Sequence, residues 1–256
     1  MRGEVVLLYT CHVDMASRIE RIQKQAQEGD YGARLRDLCR QYRRVQDRIC
    51  NEARQEMLLY LDSIERPVTC GEGCSYCCSQ YISISTAQAL VIVDYLYQNP
   101  EIMSRFLQNY EGWLLDLEKA EQGGRILAKL EECTTHSLMV KSTPQELLTE
   151  YAELNLACPF LAENKCSIYQ VRPICCASHY SISPPEWCAP GSSEQPMIYE
   201  AIPDRQGLIE LNHLTEAALS LHQETLPVLV HSLLTIGLPG VMGRINSLPG
   251  NREAGL

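Results

Sequence analysis

Four cysteines lie within nine consecutive residues in the first third of the chain: Cys70, Cys74, Cys77 and Cys78. Thiolates are soft ligands that suit zinc and iron–sulfur clusters, and such short spacings let neighbouring sulfurs reach one metal centre. Gly71 and Gly73 favour the tight turns that this loop needs. Since adjacent cysteines rarely bind one small ion together, we expect Cys77 and Cys78 to serve two ions, or one of them to be a nearby or redox thiol. The spacing predicts a metal site and leaves the metal open.

A second group of thiols has the form of a partner half-site and comprises Cys158, Cys166, Cys176 and Cys188. Eight thiols could complete two four-coordinate zinc sites, one iron–sulfur cluster with spare thiols, or two clusters. A metal site with an open or water-bound position would need a histidine or carboxylate nearby. His179 is the best placed histidine, although a lone histidine beside a loop more often makes hydrogen bonds. The roles of His179 and of the additional Cys175 stay open.

Other cysteines have no ligand pattern around them. Cys39 and Cys50 fall in a helical segment, where we expect them to be buried as small hydrophobic residues. Cys133 precedes His136 by three positions, and we interpret that pair as structural. The chain has 256 residues, 45% of them hydrophobic, so it can bury a core without covalent staples. The thiols are therefore better explained by metal binding or catalysis than by disulfides.

The composition of the chain limits its cellular compartment and the kinds of partner that it can bind. The first residues contain only a short apolar stretch, soon followed by Asp14 and Arg18, so we expect a cytoplasmic protein. The net charge of −10 and the isoelectric point near 5.1 argue against nucleic acid as a partner, which needs a basic surface. An uncharged run, 225–243, is interrupted by Pro227 and Pro239, so we expect no membrane span.

The elements that must position the cysteines are mostly helical. Apolar spacings of three and four predict helix from residue 14 to 65, divided near 29–32. Its second half carries many arginines and could pack as a helical hairpin or bind a protein partner. A short strand is expected at 81–85, and Ser85 or Thr86 caps a helix over 87–97 that is apolar enough to be central.

Further helices are expected at 101–132, 144–155, 213–225 and 227–236, and a mobile tail at 248–256. The stretch 158–203 holds seven prolines, so something other than backbone ladders must support it, and a metal site is the obvious candidate. The expected fold is mainly α: a helical scaffold with a loop-rich, cysteine-ligated metal-binding core and little β structure. The expected domains are an N-terminal helical segment, a cysteine-cluster domain and C-terminal helices packing on the core, at 1–66, 67–203 and 204–256.

The cysteine pattern resembles that of the bacterial, YkgJ-like cysteine-cluster family named for its CxxCxxCC signature. The first group matches with one extra residue in its first gap. The resemblance continues in Cys158-Pro159-Phe160-Leu161, in the run from Cys166 to Arg172-Pro173, and at Cys176 and Cys188. It spans about residues 67 to 190. Cys175 is additional to the family pattern and could exchange roles with Cys176, and Ala177 stands where the family often has arginine.

The resemblance implies chelation of zinc or of an iron–sulfur cluster by eight ligands: Cys70, Cys74, Cys77, Cys78, Cys158, Cys166, Cys176 and Cys188. Within it, Arg172 is expected to pair with backbone carbonyls or to reduce repulsion among thiolates. Some family members are linked to flagellin lysine methylation. No glycine-rich donor motif in this sequence selects that activity.

Two functions compete. In the first, the metal is structural and holds the proline-rich loops on a helical interaction module. In the second, an iron–sulfur centre performs redox or enzymatic chemistry. The run from Cys70 to Cys77 has the Cys-x3-Cys-x-aromatic-Cys form of radical S-adenosylmethionine enzymes, but their repeating βα pattern is missing from the sequence. Thiol–disulfide exchange through the Cys74 to Cys77 spacing and metal delivery to other proteins are lesser alternatives.

Overall fold

A computed structural model describes residues 19–22, 24, 32–71, 73–120, 124–129, 145–215, 219 and 223–247. Helices dominate these residues, which confirms the prediction of a mainly α fold. Residues 124–129 are also helical. The principal helices are α1 (Ala33–Ser63), α2 (Thr86–Gln98), α3 (Pro100–Lys119), α4 (Gln145–Glu153), α5 (Ile174–Ala177), α6 (Arg205–His213) and α7 (Leu226–Ser247).

Among the described residues the strands are very short and form three separate two-stranded antiparallel ladders. In the first, Ser83 pairs with Thr225 and Ser85 with Gln223. The others join β2 to β3 and β4 to β5, with His179 opposite Glu200. The strands are β1 (Ser83–Ser85), β2 (Leu161–Ala162), β3 (Lys165–Cys166), β4 (His179–Ser181), β5 (Ile198–Glu200) and β6 (Gln223–Thr225).

Helix α2 lies at the centre of the fold, as its apolar sequence predicts. Ser85 begins it with a capping box, in which its hydroxyl accepts the Gln88 N–H and the Gln88 side chain accepts the Ser85 N–H. Ala89, Ile92 and Leu96 are fully buried. The helix packs against α1, α3 and α7, so it is covered on several sides. The expected cap and the expected central position are both confirmed.

Aromatic stacking attaches the second cysteine group to this core. The ring of Phe160, two residues after Cys158, stacks on Phe106 of α3 with centroids 4.2 Å apart. Phe160 is 1% exposed. Further along α3, Tyr110 stacks on His231 of α7 at 4.0 Å. The turn that carries Cys158 is therefore fixed by buried aromatic surface.

A smaller apolar cluster attaches the proline-rich segment to α1. Met57 and Leu61 of α1 are buried there with Tyr180 and Ala201. The Gln46 side chain of α1 also donates a hydrogen bond to the carbonyl of Arg172, at 3.1 Å. Between residues 158 and 203, all of which are described, no helix or strand exceeds four residues. The expectation of a loop-rich segment is confirmed.

Helix α7 is longer and more apolar than expected, and it is bent. Gly237 has φ of 69° and separates two helical parts, with Pro239 after it. By length and composition, α7 meets the criteria for a membrane span over Leu226–Gly243. That stretch has a mean hydropathy of 1.6 and is 44% buried in the protein. A buried core helix meets the same criteria, and α7 packs against α2 and α3.

Several predicted boundaries need correction. The helix expected over 213–225 is wrong at both ends, because α6 stops at His213 and residues 223–225 form strand β6. The strand expected at 81–85 is shorter, at Ser83–Ser85. The helix expected over 101–132 breaks after Lys119, and its last residues fall outside those described. Residues 14–18, 29–31 and 248–256 also lie outside the described residues.

Substituting Gly207 tests the packing of α6 on α1. A Cβ at Gly207 would lie 2.7 Å from Cγ2 of the buried Ile49, so Gly207→Ala should lower the free energy of unfolding by about 1–3 kcal/mol. Gly112→Ala is the matched control, since a Cβ there meets nothing within 4 Å on the exposed side of α3. It should stabilise by about 0.5–1 kcal/mol. Urea unfolding midpoints measure both, and equal shifts would contradict the described packing.

Candidate metal centre

The first cysteine group is shaped by two consecutive turns. The N–H of Cys74 donates to the Gly71 carbonyl at 3.1 Å, and the N–H of Cys78 donates to the Ser75 carbonyl at 2.9 Å. Gly73 has φ of 87°, a conformation that glycine adopts without strain. A 3₁₀ turn over Tyr76–Ser79 follows and carries both Cys77 and Cys78. The glycine-bearing loop therefore has the tight turns that its sequence predicts.

The second group is held by the small β2–β3 hairpin and by α5. Cys166 pairs with Leu161 across the hairpin. Ser167 closes the same loop, because its N–H and its hydroxyl both donate to the Phe160 carbonyl, at 2.9 and 2.8 Å. Cys176 lies on the one-turn helix α5, which packs against α1. The hydrogen bonds of the hairpin and the packing of α5 on α1 therefore fix the positions of Cys166 and Cys176.

The two groups meet through the main chain. The N–H of Cys158 donates to the Cys78 carbonyl at 2.7 Å. Beside this contact is a cavity of about 550 Å³. The cavity contains six of the eight predicted ligand residues in its lining: Cys74, Cys77, Cys78, Cys158, Cys166 and Cys176.

The other two predicted ligands lie together next to Ser181. The Ser181 N–H donates to Sγ of Cys70 at 3.0 Å, and the Ser181 side chain opposes the rise that burial causes in the pKa of Cys188. Thr69 reinforces this contact, since its N–H and hydroxyl donate to the Ser181 carbonyl at 2.9 and 3.0 Å. The charge of Cys74 raises the pKa of both Cys70 and Cys188. Cys74 therefore adjoins both subsets of thiols.

Cys77 is the electrostatic neighbour that the other thiols share. The hydrogen bond from Cys78 lowers the pKa of Cys77 to about 7, in spite of burial, and the charge of Arg172 contributes. The same hydrogen bond and burial raise the pKa of Cys78. The lowered pKa favours the thiolate form of Cys77. Its charge acts on Cys70, Cys78, Cys158, Cys166, Cys176 and Cys188.

Main-chain N–H groups also face the thiols of the second group. Burial raises the pKa of Cys158 to about 12, while a hydrogen bond from the Phe160 N–H opposes that rise. Burial likewise raises the pKa of Cys166, opposed by the Ile168 N–H and by Arg172. In both cases the donor lies two residues after the cysteine. Such N–H groups stabilise sulfur once it is deprotonated, and hydrogen bonds of this kind tune thiolate-bound metals.

Arg172 brings positive charge to the cavity wall. Its guanidinium lies 4.1 Å from the centroid of the Tyr169 ring, and it lowers the pKa of Cys77 and Cys166. This agrees with the expected effect on thiolate repulsion. The expected pairing with backbone carbonyls is not among the described contacts of the guanidinium; the Arg172 carbonyl instead accepts from Gln46.

The donor set fits a thiolate-bound metal, although the sulfur atoms do not yet point toward one common position. As they stand, no three Cys, His, Asp or Glu side chains of the described residues are arranged to hold an ion. Within each adjacent pair, Cys77 with Cys78 and Cys175 with Cys176, one thiol shifts the pKa of the other, so the two sulfurs lie close enough to interact. Rotation of these side chains would turn their sulfurs toward a metal. The cavity's six cysteines and its cationic Arg172 suit zinc or an iron–sulfur cluster.

The remaining candidates are separate from the cavity. His179 is half-buried on β4, where burial lowers its pKa and Glu200 opposes that effect. Cys39 is buried, as expected, and Cys50 is half-buried against the core. Cys175 is exposed. The pair of Cys133 and His136 falls outside the described residues.

Sequence reasoning missed several residues that surround the thiols. Ser181 contacts Cys70 and Cys188 from a separate strand, and no spacing pattern could have related it to them. Trp113 and Tyr151 come from helices distant in sequence, yet both line the cavity. Their burial is predictable from helical periodicity, but their position beside the cysteines depends on tertiary packing.

Comparison with known proteins supports the chemistry of the donor set. The family model CxxCxxCC, described as "Putative zinc- or iron-chelating domain", matches residues 69–191. No curated protein and no solved structure matches the chain significantly. The matched range contains the whole of both cysteine groups.

The pKa shifts predict that metal affinity falls as the pH falls. Cys70, Cys158 and Cys166 have raised pKa values, so they are protonated near neutral pH without metal and must release protons to bind it. Apparent zinc affinity should drop by at least about tenfold per pH unit from about pH 8 to about pH 6. Competition with a chromophoric chelator measures this dependence. An affinity that does not change with pH would exclude these thiols as ligands.

Proposed function

We propose, for a chain whose residues 69–191 match the CxxCxxCC family model, that a metal is bound by both cysteine groups together and stabilises the proline-rich segment on the helical scaffold. The eight proposed ligands are Cys70, Cys74, Cys77, Cys78, Cys158, Cys166, Cys176 and Cys188. The observation that carries this proposal is the single cavity whose walls include three cysteines from each group. That shared wall supports joint binding.

A structural role is supported by how little regular structure holds the segment 158–203. Its contacts with the rest of the chain include the Cys158–Cys78 hydrogen bond, the Phe160 stack and the Thr69–Ser181 hydrogen bonds. Each of these lies within a few residues of a proposed ligand. Thiolate–metal bonds at the same places would reinforce them, because metal binding adds directly to folding free energy. We therefore expect metal removal to loosen this segment more than α2 and its neighbours.

A reactive iron–sulfur centre is the second candidate, and the cavity beside the thiols favours it. Closed four-cysteine zinc sites are structural, whereas catalysis needs space for a reactant at the metal. About 550 Å³ of such space adjoins the cysteines. Radical S-adenosylmethionine chemistry and lysine methylation are specific forms of this candidate. The described strands form only two-stranded ladders, so within the described residues the repeating βα pattern typical of radical enzymes is missing.

We also propose a cytoplasmic setting and a protein partner for α1. Several arginines and carboxylates alternate on its exposed side, and Arg48 already bridges to Glu210 of α6 at 2.5 Å. Other exposed pairs, Arg40 with Asp37 for example, stay within α1. This mixed charge suits a polar protein surface better than nucleic acid, which requires a consistently basic face.

Purification without oxygen distinguishes the two metals. An iron–sulfur centre should give a brown protein with broad visible absorption and matching iron and sulfide contents, because sulfur-to-iron charge transfer absorbs visible light. A structural zinc site should give a colourless protein that contains zinc. Elemental analysis, sulfide determination and visible spectroscopy on one sample decide between them. A colourless, fully folded protein that cannot be loaded with either metal would exclude the proposed function.

Single cysteine substitutions test whether both groups share the metal. Cys77→Ser and Cys166→Ser, one from each group, should each weaken metal binding by at least about tenfold, because a ligand is lost. Cys39→Ser is the matched control, since Cys39 is 2% exposed in the helical core, away from the cavity. It should leave the metal content unchanged. If Cys166→Ser bound metal as the unsubstituted protein does, the two groups would not share a centre.

A further inference from the structure

The cavity beside the cysteines is larger than a metal centre requires. Zinc draws four sulfurs to about 2.3 Å from itself, which leaves no space at the ion. The cavity has a volume of about 550 Å³, which is within the range of about 300–1,000 Å³ typical of sites for small organic molecules. The thiols occupy only part of its wall.

Much of the remaining wall is apolar and rigid. Trp113 of α3 and Tyr151 of α4 line it, and they are 5% and 3% exposed. The Tyr151 ring packs edge-on against Tyr81, with centroids 5.6 Å apart. Leu226 and Pro227, at the start of α7, extend the same wall. This surface suits the flat or branched apolar body of an organic ligand.

One buried hydroxyl in this wall has no hydrogen-bond partner among the described residues. Thr225 directly precedes α7, at a position where a threonine hydroxyl ordinarily accepts an N–H of the first helical turn. Its Oγ1 nevertheless has no hydrogen-bond partner in the described part of the chain, although Thr225 is only 1% exposed and lines the cavity. A buried hydroxyl without a partner is unfavourable, because it has lost its hydrogen bonds to water. A ligand that accepts a hydrogen bond from Thr225 would remove that cost.

The charged side chains of the wall are cationic. Lys165 and Arg172 line the cavity, and its described lining contains no carboxylate. Arg172 has no carboxylate of the described residues within 4 Å; its guanidinium instead lies over the Tyr169 ring. Metal binding offsets part of the thiolate charge, so Arg172 is left able to attract an anionic group.

We propose that this cavity binds a small organic anion beside the metal centre. Its apolar body lies against Trp113 and Tyr151, and its acceptor group accepts a hydrogen bond from Thr225. This inference rests on the proposed function only in that the metal occupies the thiol-lined wall. The apolar wall and Thr225 belong to the scaffold and are independent of the choice of metal.

Titration of the metal-loaded full chain with 1-anilinonaphthalene-8-sulfonate tests the proposal. This probe combines an aromatic body with an acceptor anion, so it should bind at one saturable site and quench Trp113 by energy transfer. Thr225→Val should weaken that binding about tenfold through loss of one hydrogen bond. The substitution should leave the melting temperature unchanged or raised, because valine has nearly the same shape and carries no unpaired hydroxyl.

Thr235→Val, inside α7, is the matched control, since the Thr235 hydroxyl donates to the His231 carbonyl at 2.8 Å and does not line the cavity. It should leave probe affinity unchanged. Binding to the exposed Leu59 or Tyr60 of α1 would not respond to either substitution. Absence of binding, or equal affinity in Thr225→Val and the unsubstituted protein, would overturn the inference. Metal content is measured on each sample. A failure to load metal would contradict the proposed function and would not bear on the organic anion.

Discussion

The structure depends on bringing together two cysteine groups that are separated by the whole of α2, α3 and α4. The hydrogen bond from the Cys158 N–H to the Cys78 carbonyl joins them at the edge of the cavity. It is a single contact, but the buried stack of Phe160 on Phe106 holds one of its partners in place. Core packing thus determines the geometry at the thiols, because the loops contain too little helix or strand to fix it themselves.

A second constraint is the cost of placing many thiols in a partly buried space. Burial opposes the ionised form that a metal requires, as the raised pKa values of Cys158 and Cys166 indicate. Main-chain N–H donors and Arg172 oppose that cost. The helical scaffold therefore supplies both the position of the sulfurs and part of the electrostatic support for their deprotonation.

Local signals predicted the central parts of the fold well. The Ser85 capping box, the apolar run of α2 and the prolines of 158–203 depend on neighbouring residues, so the sequence alone contains the information. The helix expected at 213–225 failed because residues 223–225 pair with β1, which is distant in sequence. A three-residue strand is too short to show a period of two, so periodicity could not identify it.

For the candidate site, too, the sequence predicted some features and could not predict others. Cysteine types and spacings predicted a metal-binding region, and the family match agrees with it. The spacings could not indicate that Cys77 lies centrally among the thiols, or that Cys70 and Cys188 share Ser181. Both relationships arise from folding over long sequence separations. The cavity wall of Trp113, Tyr151 and Thr225 is a further example, since none of these residues lies within either cysteine group.

The adjacent pair Cys175 and Cys176 extends the chemistry of the cavity to the protein surface. Cys175 is exposed, and Cys176, the next residue, lines the cavity. Two adjacent thiols on one helical turn therefore face solvent and the interior. A reagent that alkylates Cys175 adds bulk directly beside Cys176 without entering the cavity. Chemical labelling of Cys175 from solvent therefore offers a way to perturb the neighbouring Cys176 inside the cavity.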